Sequence, residues 1–132
     1  MLLVDTNVLV DVLQNDPQWA DWSIAQLRAQ ASVHALVINP VIYAEISLSF
    51  STLEALEDVV NTMALDVREI PRPALFLAAK AHAQYRRRGG NKQQVLPDFF
   101  IGAHAAVEGW PLLTRDASRF RTYFPTLEVI AP

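Results

Sequence analysis

Four carboxylates, Asp5, Glu45, Asp98 and Asp116, stand where acidic side chains need a reason. Asp5 directly follows the apolar run Leu2-Leu3-Val4, and Asp is depleted at strand positions. Glu45 ends Val-Ile-Tyr-Ala-Glu, with Val41, Ile42, Ile46 and Leu48 as apolar neighbours on one helix, so it borders buried surface. Asp98 follows Pro97, and Asp116 closes Leu-Leu-Thr-Arg-Asp. Singly, each has a bland explanation. Asp5, Asp98 and Asp116 suit helix N-termini, and Glu45 suits a solvated helix face. Brought to one rim, four carboxylates repel one another and stay ionised only beside a compensating cation. Oxygen donors without His or Cys partners suit Mg²⁺ or Mn²⁺. Such an ion activates water, polarises a phosphoryl oxygen and steadies a leaving group, which implies phosphodiester hydrolysis.

Alternating strands and helices would have to bring these residues together. Leu2–Val4 reads as a buried strand, and Thr6–Gln14 as a helix with Val8, Leu9, Val12 and Leu13 on one face. Asp16 and Pro17 can cap and open a second helix that carries Trp19, Ile24 and Leu27 to about Gln30. His34–Ile38 is a second strand. Asn39-Pro40 opens a helix through Ser49, and Ser51-Thr-Leu-Glu54 is a capping box for the next, with Leu53, Leu56, Val59, Val60 and Met63 at helical spacing. Asp66–Ile70 is a third strand, followed by a helix over Ala74–Arg88 that ends at Gly89-Gly90. Asp98–Val107 is a helix with Pro97 just outside it. Pro111–Thr114 is a strand, Asp116–Tyr123 a short helix and Leu127–Ile130 an edge strand. The alternation predicts one α/β domain over residues 1–132, a three-layer α/β/α sandwich on a mainly parallel sheet. In such folds ligands sit beyond the carboxyl ends of the strands, where Asp5, Asp98 and Asp116 fall. Glu45 lies about one turn inside its helix.

Composition sets bounds. A chain of 132 residues fits one domain, for which about 100–200 residues is usual. The hydrophobic content of 52% is high for a soluble monomer and predicts apolar surface that meets a partner. No run is long enough to span a membrane, and the N-terminus has neither the basic region nor the cleavage site of a signal peptide. The absence of cysteine excludes disulfides and thiolate metal sites and fits a cytoplasmic location. A net charge of −3 argues against a general nucleic-acid coat, but not against a nuclease whose acidic residues are neutralised by metal.

The four motifs, Leu-Val-Asp-Thr-Asn, Val-Ile-Tyr-Ala-Glu, Pro-Asp-Phe-Phe-Ile and Leu-Leu-Thr-Arg-Asp, occur in the order seen in PIN-domain nucleases. The chain resembles these along essentially its whole length and, among them, the VapC toxins of type II toxin–antitoxin pairs. The resemblance implies a Mg²⁺- or Mn²⁺-dependent endoribonuclease. It implies Asp5, Glu45, Asp98 and Asp116 as the acidic quartet, with Asp5, Asp98 and Asp116 as the direct metal ligands. Thr6, Asn7 and Thr114 match the supporting positions. It further implies an RNA substrate, a homodimer and a cognate antitoxin.

Arg86, Arg87, Arg88 and Lys92 are an electrostatic guide for an RNA backbone on one reading and favourable charge at a helix C-terminus on the other. Arg115 adjoins Asp116 and could meet RNA, and Arg115, Arg119 and Arg121 could instead pair with acidic surface residues. His34, His82 and His104 show no metal-type spacing and read as structural. Trp19, Trp22 and Trp110 read as packing, though Trp19 and Trp22 could form a partner-binding face. Two rival functions stand beside the nuclease. One is a non-catalytic RNA- or protein-binding module with the same fold. The other is a metal phosphoesterase acting on DNA or small phosphoesters. A phosphatase with an aspartyl nucleophile would show Asp-x-Asp after the first strand, where this chain has Asp5-Thr6-Asn7.

Overall fold

The computed structural model describes residues 1–92 and 95–132. Five short strands, β1 (Leu2–Val4), β2 (Leu36–Ile38), β3 (Asp66–Val67), β4 (Leu112–Leu113) and β5 (Val129–Ile130), form one sheet in the order β3-β2-β1-β4-β5. Every pairing is parallel, with Leu3 opposite both Val37 and Leu112. The three central strands are fully buried, and this explains their unbroken apolar runs, because a parallel sheet is covered on both faces. The expected α/β architecture is therefore present, and the sheet is wholly parallel among the described residues.

Among the described residues, seven helices connect the strands: α1 (Thr6–Leu13), α2 (Ala20–Ala31), α3 (Pro40–Ser47), α4 (Leu53–Thr62), α5 (Arg72–Arg87), α6 (Leu96–Glu108) and α7 (Ser118–Tyr123). The right-handed sense of parallel crossovers puts α1–α4 on one face and α5–α7 on the other. The packing of α1 on α2 and α3, and of α6 on α5 and α7, agrees. None is long and apolar enough to cross a membrane. The chain leaves β1 toward β2 on one side, whereas β4 leads to β5 on the other. The gap between β1 and β4 is thus a topological switch point, where open α/β sheets hold their ligands.

Local boundaries differ from expectation for identifiable reasons. The helix after Asp16 begins at Ala20, because the Asp16 carboxylate accepts the N–H groups of Gln18 and Trp19 in a tight turn. Trp19 therefore precedes the helix, edge-on to Trp22. Thr52 caps α4 by accepting the Ala55 N–H, one residue beyond the expected Ser51–Glu54 box. α3 opens at Pro40 as expected, whereas α5 and α6 begin earlier than expected: Pro73 and Pro97 lie inside their first turns, where a missing N–H costs nothing. β1 has the expected bounds, the other four strands are shorter, and His34 and Ile70 fall outside them.

Two glycines fix the region behind the site. Gly109 ends α6 in the left-handed conformation at φ 71°. Gly102 lies so close to Phe124 and Phe120 that a Cβ there would come within 2.5 Å of the Phe124 ring. This contact seats α7, through the buried Phe120, directly on α6.

Candidate active site

The N-terminal cap of α1 is the residue with the most constrained environment. Asp5 is 4% exposed and follows the buried strand β1. Its Oδ1 accepts the Thr6 N–H at 2.7 Å, and its Oδ2 accepts the Thr114 hydroxyl at 2.8 Å. Burial outweighs both bonds and, with the nearby Asp98 and Glu45 charges, pushes the Asp5 carboxyl up to about 7. A carboxylate so placed is poorly compensated by the protein alone.

Thr114, fully buried just after β4, organises the switch point. While donating to Asp5, its oxygen accepts the Asp116 N–H at 3.2 Å and the Asn7 amide at 3.3 Å. Asn7 in turn accepts the Arg115 N–H at 3.2 Å. These bonds tie the start of α1 to the loop after β4, so the two loops hold one register.

Asp5, Asn7, Asp98 and Asp116 line one cleft of about 100 Å³, together with Ser118, Arg119 and Phe120. Three of the four expected carboxylates are thus brought together. Glu45 is joined to them indirectly, because the Thr6 hydroxyl donates to its Oε1 at 2.6 Å while the Thr6 N–H holds Asp5. Neither Asp98 nor Asp116 caps a helix, though Asp98 keeps the favourable place for negative charge in the first turn of α6. Asp98 is the third residue of α6, and Asp116 lies ahead of the α7 cap residue Ala117. Only Asp5 is a cap, and it also faces the cleft.

Arg119 stands among these acids. Its guanidinium donates to Asp98 Oδ2 and lies over the Tyr85 ring, 5.7 Å from the centroid. Burial raises the Asp98 carboxyl, and the Arg119 pair opposes that rise. Among the described residues no three His, Cys, Asp or Glu side chains are arranged as a ready ligand group. The donor chemistry nevertheless suits a hard divalent cation: the cleft presents carboxylate oxygens, and both Asp5 and Asp98 resist ionisation as they stand. Arg119 supplies part of the missing positive charge.

The expected RNA-contacting residues divide. Arg86, Arg87, Arg88 and Lys92 are exposed at and beyond the end of α5, and Arg86 and Lys92 line a recess of about 190 Å³ with Gly90 and Asn91. Arg115 is different. Its guanidinium makes a two-pronged pair with Asp11, at 2.9 and 3.2 Å, and rests on the Trp19 ring. Asp11 is 2% exposed and also accepts the Ser23 hydroxyl. Arg115 thus neutralises a buried carboxylate and braces the loop after β4 against α1 and α2. Asp11 and Ser118 were not singled out from sequence. Asp11 could have been, as a charge within the apolar Val8–Leu13 helix opposite an Arg beside the last motif.

Comparison with known families places this architecture. A PIN domain profile matches residues 2–124. The chain belongs to the PIN-domain family. Comparison with curated proteins gives no significant match. Among solved structures, this PIN domain is similar to VapBC2 of Rickettsia felis bound to a DNA fragment from its promoter. The TM-score is 0.75 at 17% identity, covering 99% of this chain and 98% of that one. It is also similar to DNA-bound VapBC of Salmonella typhimurium, at TM-score 0.72, 19% identity and coverage of 98% and 96%. A toxin–antitoxin complex of Klebsiella pneumoniae aligns at TM-score 0.68, 18% identity and the same coverage. At these identities the likeness is one of fold. The PIN fold places the Asp5–Asp116 cleft at the switch point of a five-stranded parallel sheet.

Proposed function

We propose that this PIN domain is a metal-dependent endoribonuclease acting as the toxin of a toxin–antitoxin pair. The observation that carries the reading is the meeting of Asp5, Asp98 and Asp116 in one cleft, with Asp5 buried and its carboxyl raised to about 7. Asp5, Asp98 and Asp116 would hold Mg²⁺ or Mn²⁺. When bound, such an ion supplies Lewis acidity, lowering the pKa of water and offsetting charge on the phosphoryl oxygens. Glu45, held by the Thr6 hydroxyl, orients the attacking water and takes its proton. Water adds in line at phosphorus, the bond to the 3′ oxygen breaks, and that oxygen takes a proton from solvent to leave as a hydroxyl while the 5′ side keeps the phosphate. Thr114 and Asn7 keep Asp5 and the Asp116 loop in register while this happens. The exposed Arg86–Arg88 cluster and Lys92 guide the RNA backbone.

The partners follow from different support. The solved relatives are VapBC or toxin–antitoxin complexes, which supports a cognate antitoxin. The apolar content supports a homodimer, and the absence of cysteine supports a cytoplasmic setting. Purified protein would be incubated with end-labelled transfer and total RNA in Mg²⁺, Mn²⁺ or EDTA, beside Asp98→Asn. Discrete cuts are expected with metal and none with EDTA or the variant. Equal cutting of DNA would widen the activity to a general phosphoesterase. A folded, metal-loaded protein that cuts nothing would be a binding module.

A further inference from the structure

Arg119 is the only cationic side chain lining the acidic cleft among the described residues. Buried Phe120, the next residue, anchors α7 and fixes where Arg119 projects. The guanidinium occupies Oδ2 of Asp98, and the Tyr85 ring covers it from another side. Both paired side chains are only partly exposed, at 26% and 34%. A guanidinium has five N–H donors, yet Asp98 is its only hydrogen-bond partner among the described residues. A divalent cation reaching Asp98 is repelled by the guanidinium and competes with it for the charge of the same carboxylate, so its arrival weakens this pair. By linkage the pair must then weaken cation binding by the same factor. Once released, the side chain remains in the cleft beside Tyr85 with its planar fork of donors free, and that fork matches a phosphate.

We propose that Arg119 is a metal-displaced latch: it holds Asp98 until a divalent cation takes its place, and then binds the phosphate of the incoming nucleic acid. The latch rests on the metal-nuclease reading above. It gives the cleft two states, a closed one neutralised from within and an open one that needs both cation and polyanion.

Mn²⁺ binding, read from loss of the free-ion signal in electron paramagnetic resonance, tests the first half without any turnover. Arg119→Gln is expected to bind Mn²⁺ about tenfold more tightly than wild type, as removal of a charge-assisted hydrogen bond implies. Arg121→Gln removes the same charge from an exposed position on α7 and is expected to stay within about twofold. In an Asp98→Asn background, Arg119→Gln is expected to gain nothing. Unchanged or weaker Mn²⁺ binding by Arg119→Gln, or equal tightening by Arg121→Gln, overturns the latch. Steady-state cleavage at saturating Mn²⁺ tests the second half. The RNA KM should rise about tenfold in Arg119→Gln and less in Arg119→Lys, which keeps the charge but not the fork. A fall in kcat at constant KM would overturn the phosphate contact. If neither wild type nor variant binds Mn²⁺, latch and metal reading fall together, whereas equal, measurable affinities remove the latch alone.

Discussion

Arginines within six positions of one another can have unrelated tasks, and Arg115, Arg119 and Arg121 show why sequence distance does not sort them. Arg121 is exposed, Arg119 reaches into the acidic cleft, and Arg115 turns the other way to Asp11. Sequence placed all three beside the last acidic motif, and only the fold of the loop after β4 separates them. Asp11 is the deciding partner, because a carboxylate at 2% exposure cannot be left unpaired. Arg115→Ala would strand it with one hydroxyl. Breaking a buried pair typically costs about 3–5 kcal/mol, and partial exposure of Arg115 reduces that to about 2–3 kcal/mol. Urea unfolding should show this loss, and Arg115→Lys should recover little because one ammonium cannot span both oxygens. A variant as stable as wild type but weak in RNA binding would return Arg115 to the substrate surface.

The elements were legible wherever burial decides them. Leu2–Val4 and the Val8–Leu9 face are in the core as their patterns demand, and the strand-to-helix alternation predicted the parallel sheet. Element ends were less legible, because Asp16 and Thr52 choose among adjacent starts by one or two side-chain hydrogen bonds, while Pro73 and Pro97, with no N–H to lose, fit more than one place in a first turn. What no periodicity could reveal is the contact between α6 and the end of β2. Asn39 caps α3 with its carbonyl, donated to by the Ile42 N–H, so its amide nitrogen must be the donor to His104 Nδ1, 3.2 Å away. The imidazole proton therefore sits on Nε2, which is buried with no hydrogen-bond partner among the described residues. Protonating Nδ1 would set donor against donor. Burial holds His104 below its ordinary 6.5, with Glu108 opposing the shift only in part. A histidine depressed in the folded state binds its proton more readily when unfolded, so stability is retained above 6.5 and lost as pH falls below it. The loss should approach about 1.4 kcal/mol per pH unit while the folded imidazole stays neutral. His104→Gln can still accept from Asn39 but cannot titrate. Urea midpoints at pH 5, 6 and 7 should therefore fall more steeply for wild type than for this variant, and parallel curves would refute the assignment.

For the whole molecule, net charge misleads and its distribution informs. The sum is −3, yet acidic groups gather in the cleft while Arg86, Arg87, Arg88 and Lys92 crowd the end of α5. That separation could be read from sequence, but the path between the two could not, because it runs through aromatic contacts from distant segments. Gly90 lies against the Tyr85 ring, Tyr85 supports Arg119, and Tyr123 supports Arg88. The basic end and the acidic cleft are therefore joined across one face, as a strand of nucleic acid would require if its backbone met the arginines while one phosphodiester entered the cleft. Such binding releases counterions, so the logarithm of affinity falls linearly with the logarithm of salt, by about 0.7 per phosphate neutralised on a single strand. Anisotropy of a fluorescein-labelled RNA, titrated in EDTA from about 50 to 200 mM salt, would give the slope. Arg87→Ala and Lys92→Ala should each make it shallower by about 0.7, additively, and should weaken different RNA sequences alike, because backbone contacts carry no base information. An unchanged slope would make the cluster a solubility feature of the α5 terminus. A loss confined to one sequence would mean that these side chains read bases.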